Sequence, residues 1–233
     1  MADVIGIIPA RGGSTRVPRK NIRQVGGVPL IAHTIQATSE ASVIDDFVVS
    51  TDDDEIATIS EEYGATICQR PSELAEDESP MGPVITHTLE MYKGNFDVVC
   101  LLQPTVPLRL AADIDQAVDR LLTTADVDSV VSITSPMDPP HWAITETSDG
   151  YLQEAFEPEV LWGEIKRSQD LPETWVPNGA IFTATTEAWE KYESFYTPQT
   201  AGYEMPPKRS IDIDEPWELE LVRALFEYDR TDN

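Results

Sequence analysis

Positive charge is what this chain has least of. Its 233 residues carry 42 acidic side chains against 16 lysines and arginines, a net charge of −26. The acids are dispersed, in Asp52 to Glu55, Glu61-Glu62, Glu73 to Glu78 and Glu215 to Glu220. A phosphate backbone needs a basic face, so this balance speaks against nucleic-acid binding. It also fits a high-salt host, an expectation that equal stability in low and molar salt would contradict. The two cysteines, Cys68 and Cys100, are too few for a metal centre and read as buried thiols of a reducing cytoplasm. No apolar run approaches the roughly 20 residues that span a bilayer. The start, Met-Ala-Asp, enters an apolar strand without a basic region or cleavage site, so no signal peptide is expected. Repeats, a Walker A loop and a G-x-G-x-x-G fingerprint are all missing, which removes the P-loop NTPase and dinucleotide-dehydrogenase readings.

What is present is an alternation of short apolar runs with helix-period segments, the pattern of a βαβ series and a mostly parallel sheet. Strands are expected at 4–9, 46–51, 65–69, 96–102, 129–134 and 179–183. Helices are expected at 29–39, 53–63, 80–92, 111–122, 187–191 and 216–228. From Ser135 the character changes: prolines and tryptophans gather, periodicity weakens, and residues 144–154 read as a hairpin turning at Asp149-Gly150. Residues of about 135–177 are therefore an arm leaving one domain of 1–233, with the composition of a dimer interface.

Three stretches carry chemistry. After the first strand comes Ala10-Arg11-Gly12-Gly13-Ser14, with Arg16, Arg19 and Lys20 close behind. The loop concentrates four of the scarce cations on a glycine turn, as a triphosphate site requires. The second stretch is Ser210-Ile211-Asp212-Ile213-Asp214. In extended backbone Asp212 and Asp214 share a face. They read either as oxygen ligands for Mg²⁺ beside substrate phosphates or as a solvated turn capping the next helix. In the third, Gln103-Pro104 ends an apolar strand, at the sheet edge where open α/β sheets bind ligands. It reads equally as a rigid connection. Arg70-Pro71 follows a strand at the same edge, and Arg167 is a cation of the arm.

At these residues the chain resembles the CMP-N-acetylneuraminate (acylneuraminate) cytidylyltransferase family. The matching stretches run in order from Ile8-Pro9-Ala10-Arg11-Gly12-Gly13-Ser14 and Pro18-Arg19-Lys20-Asn21 through Ser50 to Asp53, Arg70-Pro71 with Glu73-Leu74-Ala75, and Leu101 to Pro104 with Pro107-Leu108-Arg109. They continue with Gln169 to Glu173, Asn178-Gly179-Ala180-Ile181 and Ser210 to Asp214. The resemblance implies a doubly wound α/β nucleotidyltransferase fold and a homodimer formed through the arm. It implies transfer of CMP from CTP to a nonulosonic sugar acid with release of pyrophosphate. By position Ala10, Arg11, Gly12, Gly13, Ser14 and Lys20 serve the triphosphate, with Arg11 and Lys20 as the catalytic cations. Asn21, Arg70 and Ser79 recognise cytidine, Gln103 meets the sugar acid, and Asp212 and Asp214 hold Mg²⁺. Two positions depart from the family. Thr15 stands where lysine is usual, with Arg16 as the substitute charge. Val176 stands where a cation is frequent, leaving the sugar carboxylate to Arg109, Arg167 or Lys166. The acceptor is N-acetylneuraminate, legionaminate or pseudaminate. The alternatives are an octulosonate acceptor or a scaffold that kept the fold and lost catalysis. The partners implied are small molecules and a second copy, not a membrane.

Overall fold

The computed structural model describes residues 2–92, 94–156, 161 and 166–231. Among these, one sheet of seven strands dominates, in the order β11-β7-β10-β6-β1-β4-β5. The strands are β1 (Val4–Pro9), β4 (Asp46–Thr51), β5 (Thr66–Gln69), β6 (Val98–Leu102), β7 (Ser129–Thr134), β10 (Val176–Thr185) and β11 (Thr200–Glu204). β1, β4, β5 and β6 are mutually parallel, β10 runs antiparallel between β6 and β7, and β11 returns parallel to β7.

The strand sequences explain the layers. In β1, Val4 and Ile8 join one apolar cluster while Ile5 and Ile7 join another. Val98, Cys100 and Leu102 of β6 likewise alternate with Val99 and Leu101. Both faces of these strands are buried, so they read as unbroken apolar runs rather than alternating ones. The first cluster takes Ile31 and Ile35 of α1 (Leu30–Glu40), Ile56 of α2 (Asp54–Glu62) and Ile114 and Val118 of α4 (Ala111–Thr123). The second takes Ile85 of α3 (Met81–Tyr92) and Trp189 of α5 (Thr186–Tyr192). Helices thus cover both faces, the doubly wound arrangement. A third cluster seats Leu219 and Val222 of α6 (Pro216–Thr231) on Val17, Val25, Leu30 and Ile213. Val25 belongs to a ribbon of β2 (Gln24–Val25) and β3 (Val28–Pro29).

Three expectations are corrected. β10 starts at Val176, three residues earlier than expected, because its first residues pair with Thr134 and Ile133 before the register shifts between Pro177 and Phe182. The sheet is mostly parallel, as expected, with β10 alone entering antiparallel among the described strands. β11 was not expected at all: Thr-Ala-Gly-Tyr-Glu has little apolar content, and it forms as an edge strand because β7 offers a free partner. Residues 210–214, expected as an extended piece, form no strand.

The described part of the arm contains a separate hairpin, β8 (Ile144–Glu146) with β9 (Leu152–Glu154). It turns through Gly150, whose φ is +81°. Pro158 and Trp162 of the arm lie outside the described residues. Both cysteines are free and buried. Among the described residues no helix is long and apolar enough to cross a membrane.

Candidate active site

The carboxyl ends of β1, β4, β5 and β6 open onto a cavity of about 490 Å³. Its wall brings together Arg11, Ser14, Arg16, Lys20, Asn21, Arg70, Gln103 and Asp214, residues from segments up to 200 positions apart. Thr15 and Val17 complete the loop side, and Asp77, Met81 and Thr105 line it without having been singled out from the sequence. Asp77 and Thr105 fall just beside stretches matched to the family, Glu73 to Ala75 and Leu101 to Pro104, which was the nearest signal for them. Met81 offered none.

The loop is shaped from beneath. Gly12 is required by space: a Cβ there would stand 2.6 Å from Asp53 Oδ2. Its N–H donates to Asp52 Oδ1 at 3.0 Å. That donor is therefore engaged within the protein, and a backbone cradle at Gly12 is not what the structure presents. Around Gly13 a Cβ would meet no atom within 4 Å, so packing does not demand glycine there. Ala10 is buried and its N–H donates to Ser50 O, ending β1. Arg19, expected among the loop cations, turns away in left-handed backbone (φ 60°) and pairs with Asp53 and Glu55 at the start of α2. This pairing holds the Asp53 carboxyl below its usual range, Arg19's hydrogen bond being the largest cause.

The cations that do face the cavity are held by protein carboxylates. Arg11 Nη2 lies 2.8 Å from Asp77 Oδ1, while Nη1 is buried without a partner. Lys20 Nζ donates to Ile213 O and lies 3.2 Å from Asp214 Oδ1. Arg16 lies 3.7 Å from Asp214 Oδ2 and 3.6 Å from Glu215 Oε1, in exposed positions where ion pairs are worth little. Asn21 is buried; its Nδ2 donates to Arg11 O at 3.1 Å, and its Oδ1 has no partner. Arg70 is buried with Nη2 donating to Ser50 O at 2.7 Å and Nε to Ser50 Oγ at 3.2 Å. Burial pushes its pKa down to about 10, so it remains a cation at neutral pH.

On the opposite wall, Ile213 is fully buried and Asp212 and Asp214 turn the other way, Asp214 lining the cavity. Asp212 Oδ1 is buried without a hydrogen-bond partner. Burial pushes this carboxyl upward and the Asp214 charge adds to the rise, while the Thr105 hydroxyl opposes it. Gly179 permits the approach: its φ is +74°, and a Cβ would stand 2.9 Å from Asp212 Oδ2 and 3.5 Å from Gln103 Oε1. Glycine tolerates that conformation without a side-chain penalty.

Asp212, like Ala10, Gly12 and Gly13, stands outside the lining, and three further expected site residues are elsewhere. Arg109 is 3% exposed and does not line the cavity. Its guanidinium donates to Ala180 O, to Gln103 O at 3.3 Å and to Thr34 Oγ1 at 2.9 Å. It ties the ends of β6 and β10 to α1, so a direct sugar contact is replaced by a structural role. Arg167 sits in the arm, paired with Asp170 at 2.8 Å and outside the cavity. Ser79 also stands outside the lining, its Oγ donating to Glu73 O at 3.1 Å, two residues from Asp77.

A second cavity of about 230 Å³ shares Met81 and Gln103 with the first. Phe182, Trp189, Phe195 and Tyr196 make it aromatic. Its Phe182–Phe195 and Trp189–Phe195 ring centroids lie 5.8 Å and 5.0 Å apart. Gln103 thus stands between a cationic chamber and an apolar one.

A family model described as cytidylyltransferase matches residues 5–187. The chain belongs to the cytidylyltransferase family. It is 35% identical over 212 residues to an N-acylneuraminate cytidylyltransferase of Streptococcus agalactiae, covering 90% of this chain and 50% of that protein. It therefore spans about half the length of those relatives. It is 35% identical over 229 residues to a CMP-N,N'-diacetyllegionaminic acid synthase of Legionella pneumophila, covering 96% of each. A pseudaminic acid cytidylyltransferase of Campylobacter jejuni is 29% identical over 94% of each chain. Among solved structures, a CMP:2-keto-3-deoxy-manno-octonic acid synthetase complexed with CTP superposes with a TM-score of 0.73 at 16% identity, covering 98% of this chain and all of that one. At that identity the likeness supports the fold alone.

Proposed function

We propose that this cytidylyltransferase transfers CMP from CTP to a nonulosonic sugar acid, releasing pyrophosphate. The observation that carries this reading is the cavity itself. In a chain of net −26, Arg11, Arg16, Lys20 and Arg70 converge on one chamber, with Gln103 at its border with an aromatic one. The cationic chamber suits a triphosphate and the apolar one suits the exocyclic substituents of an acceptor. The near-complete overlap with the legionaminic acid synthase favours an acceptor carrying such substituents over the octulosonate.

In this reading the acceptor hydroxyl attacks the α-phosphorus in line and gives up its proton to water. The P–O bond to pyrophosphate breaks, and pyrophosphate leaves with the electron pair. The protein contributes position and charge rather than covalent chemistry. Arg11 and Lys20 carry the developing charge on the phosphates, with Arg16 supplying a cation beside Thr15. Asn21 and Arg70 orient the nucleoside, and Gln103 orients the acceptor. Asp212 and Asp214 are the residues that would hold a divalent cation such as Mg²⁺. The donor set fits, being two carboxylates on one side of an extended segment with one buried oxygen lacking a partner. A cation held there supplies charge neutralisation to the phosphate oxygens. Among the described residues no cluster of three or more His, Cys, Asp or Glu could hold a metal, so substrate phosphates would complete its coordination. We further infer a homodimer through the arm, acting in the cytoplasm where CTP is available.

Pyrophosphate release with CTP, Mg²⁺ and a panel of nonulosonic acids tests the reading. Release with at least one acceptor is expected; CTP binding without release for any acceptor would support the non-catalytic scaffold instead.

A further inference from the structure

The segment bearing Asp212 and Asp214 forms no strand, yet its carboxylates must stand opposite the cationic loop. Besides Lys20, which donates to Ile213 O, three mounts hold it. Ile213 N–H donates to Thr105 O at 2.9 Å. Glu218 Oε2 accepts from Asp214 N at 2.7 Å. The third mount is at its entrance, where Asn178 Nδ2 donates to Ser210 Oγ at 2.8 Å.

Asn178 is 5% exposed, at the point where the β10–β7 ladder shifts register. A buried carboxamide is costly unless its donors and acceptor are engaged, and here they are. Its Oδ1 lies 2.6 Å from Ser132 Oγ of β7 and accepts from Ala180 N at 3.1 Å. Its Nδ2 faces Met205 Sδ at 3.4 Å besides Ser210 Oγ. Ser132 Oγ in turn accepts from Ile181 N at 2.8 Å. The irregular stretch of β10 is therefore satisfied by side chains, and the same carboxamide reaches across to the acidic segment. The next residue, Gly179, is the one whose missing Cβ admits Asp212.

We propose that Asn178 is a positioning residue for Asp212 and Asp214: through Ser210 it fixes the acidic segment against the bulge of β10. It does not line the cavity and acts through the segment it holds. The inference rests on the proposed function for its kinetic consequence, but not for its structural one. A misplacement of about 1 Å in a catalytic group can cost ~100-fold in rate, so a small loss of registration here is enough to matter.

Ser210→Ala removes the acceptor, and with it the hydroxyl's own bond to Pro206 O at 3.0 Å, while leaving the Asn178–Ser132–Ala180 core intact. Ser210→Thr keeps the hydroxyl, and Asn178→Ala removes the hub. Amide exchange at Ile213 should accelerate in Ser210→Ala and Asn178→Ala and return towards wild type in Ser210→Thr. In turnover, kcat should fall roughly tenfold in Ser210→Ala, with KM for CTP within about twofold of wild type and recovery in Ser210→Thr. Combining Ser210→Ala with Asn178→Ala should add little beyond Asn178→Ala alone, as for two ends of one link. Unchanged exchange at Ile213 in both alanine variants overturns the proposal whether or not the protein turns over. So does a rise in KM for CTP that accounts for the whole kinetic loss. A wild-type protein without turnover sinks the functional reading alone, and the exchange measurement still decides the clamp.

Discussion

The cavity wall and the arm are built on opposite terms. Around the cavity the buried and half-buried cations and Asn21 are held by other parts of the fold: Arg70 by Ser50, Lys20 by Ile213 and Asp214, Arg11 by Asp77, Asn21 by the Arg11 carbonyl. In the arm, Met137 is 98%, Tyr151 74% and Phe156 64% exposed, and Arg167 pairs locally with Asp170. The wall is organised before any ligand arrives, the condition under which fixed charges stabilise a transition state well. The arm presents apolar surface that a second copy would cover. Within the wall a further contrast separates two buried arginines, Arg70 and Arg109, both pushed down to about 10 by burial. One lines the cavity and the other ties strand ends together.

The contrast is broken most directly at an exposed cavity carboxylate. Asp214→Ala should lower kcat on the order of 10²–10³-fold, by analogy with removal of one charge-stabilising group, with the melting temperature little changed. Full activity in steady-state assays would remove the acidic pair from the mechanism. The two arginines are separated next. Arg109→Met leaves the Gln103 and Ala180 carbonyls without their donor and should cost roughly 3–5 kcal/mol of stability in denaturant unfolding. Arg70→Met should instead show its main effect as a KM for CTP raised about tenfold, the worth of one charge-assisted hydrogen bond. Equal stability losses with no change in KM would erase the distinction. For the arm, Tyr151→Ser combined with Phe156→Ser should shift sedimentation from dimer to monomer; an unmoved dimer places the interface elsewhere.

The smallest effect concerns the support of the loop. Asp53 accepts from the Glu55 and Ile56 N–H groups at the start of α2 and pairs with Arg19. Asp53→Ala should cost about 1–2 kcal/mol at neutral pH. Because the folded pKa lies below the unfolded one, this contribution is present above the unfolded pKa and is lost as pH falls through the folded value. The wild-type and mutant unfolding curves should therefore converge in acid.

Much of the fold was legible because buried strands and amphipathic helices announce themselves by period. The positions of β1, β4, β6, β7 and the six helices followed from apolar runs and breaks. β11 was not legible, since an edge strand is formed by its neighbour rather than by its own composition. The orientation of β10 was also hidden, because a strand's direction in a sheet depends on the connections before it. In the site, Lys20, Asn21, Arg70 and Gln103 were found through motif order, and the cavity collects them. Arg109 was misread for a physical reason: a cation after a strand at the ligand edge looks the same in sequence whether it faces the cavity or turns under it. The engagement of Gly12 N–H by Asp52 was equally invisible, since it depends on two loops meeting across β1 and β4. The aromatic chamber could not be assembled from sequence because Met81, Phe182 and Tyr196 come from three separate elements.

The central claim is that one chamber holds CTP and passes CMP to a sugar acid at Gln103. Phosphorus NMR of a mixture of the protein, CTP, Mg²⁺ and a nonulosonic acid tests it most directly. The account predicts loss of the triphosphate signals and growth of one phosphodiester signal together with pyrophosphate, at equal rates and only when the acceptor is present. CTP that stays intact with every acceptor, or that yields pyrophosphate and free CMP at the same rate without one, would contradict it.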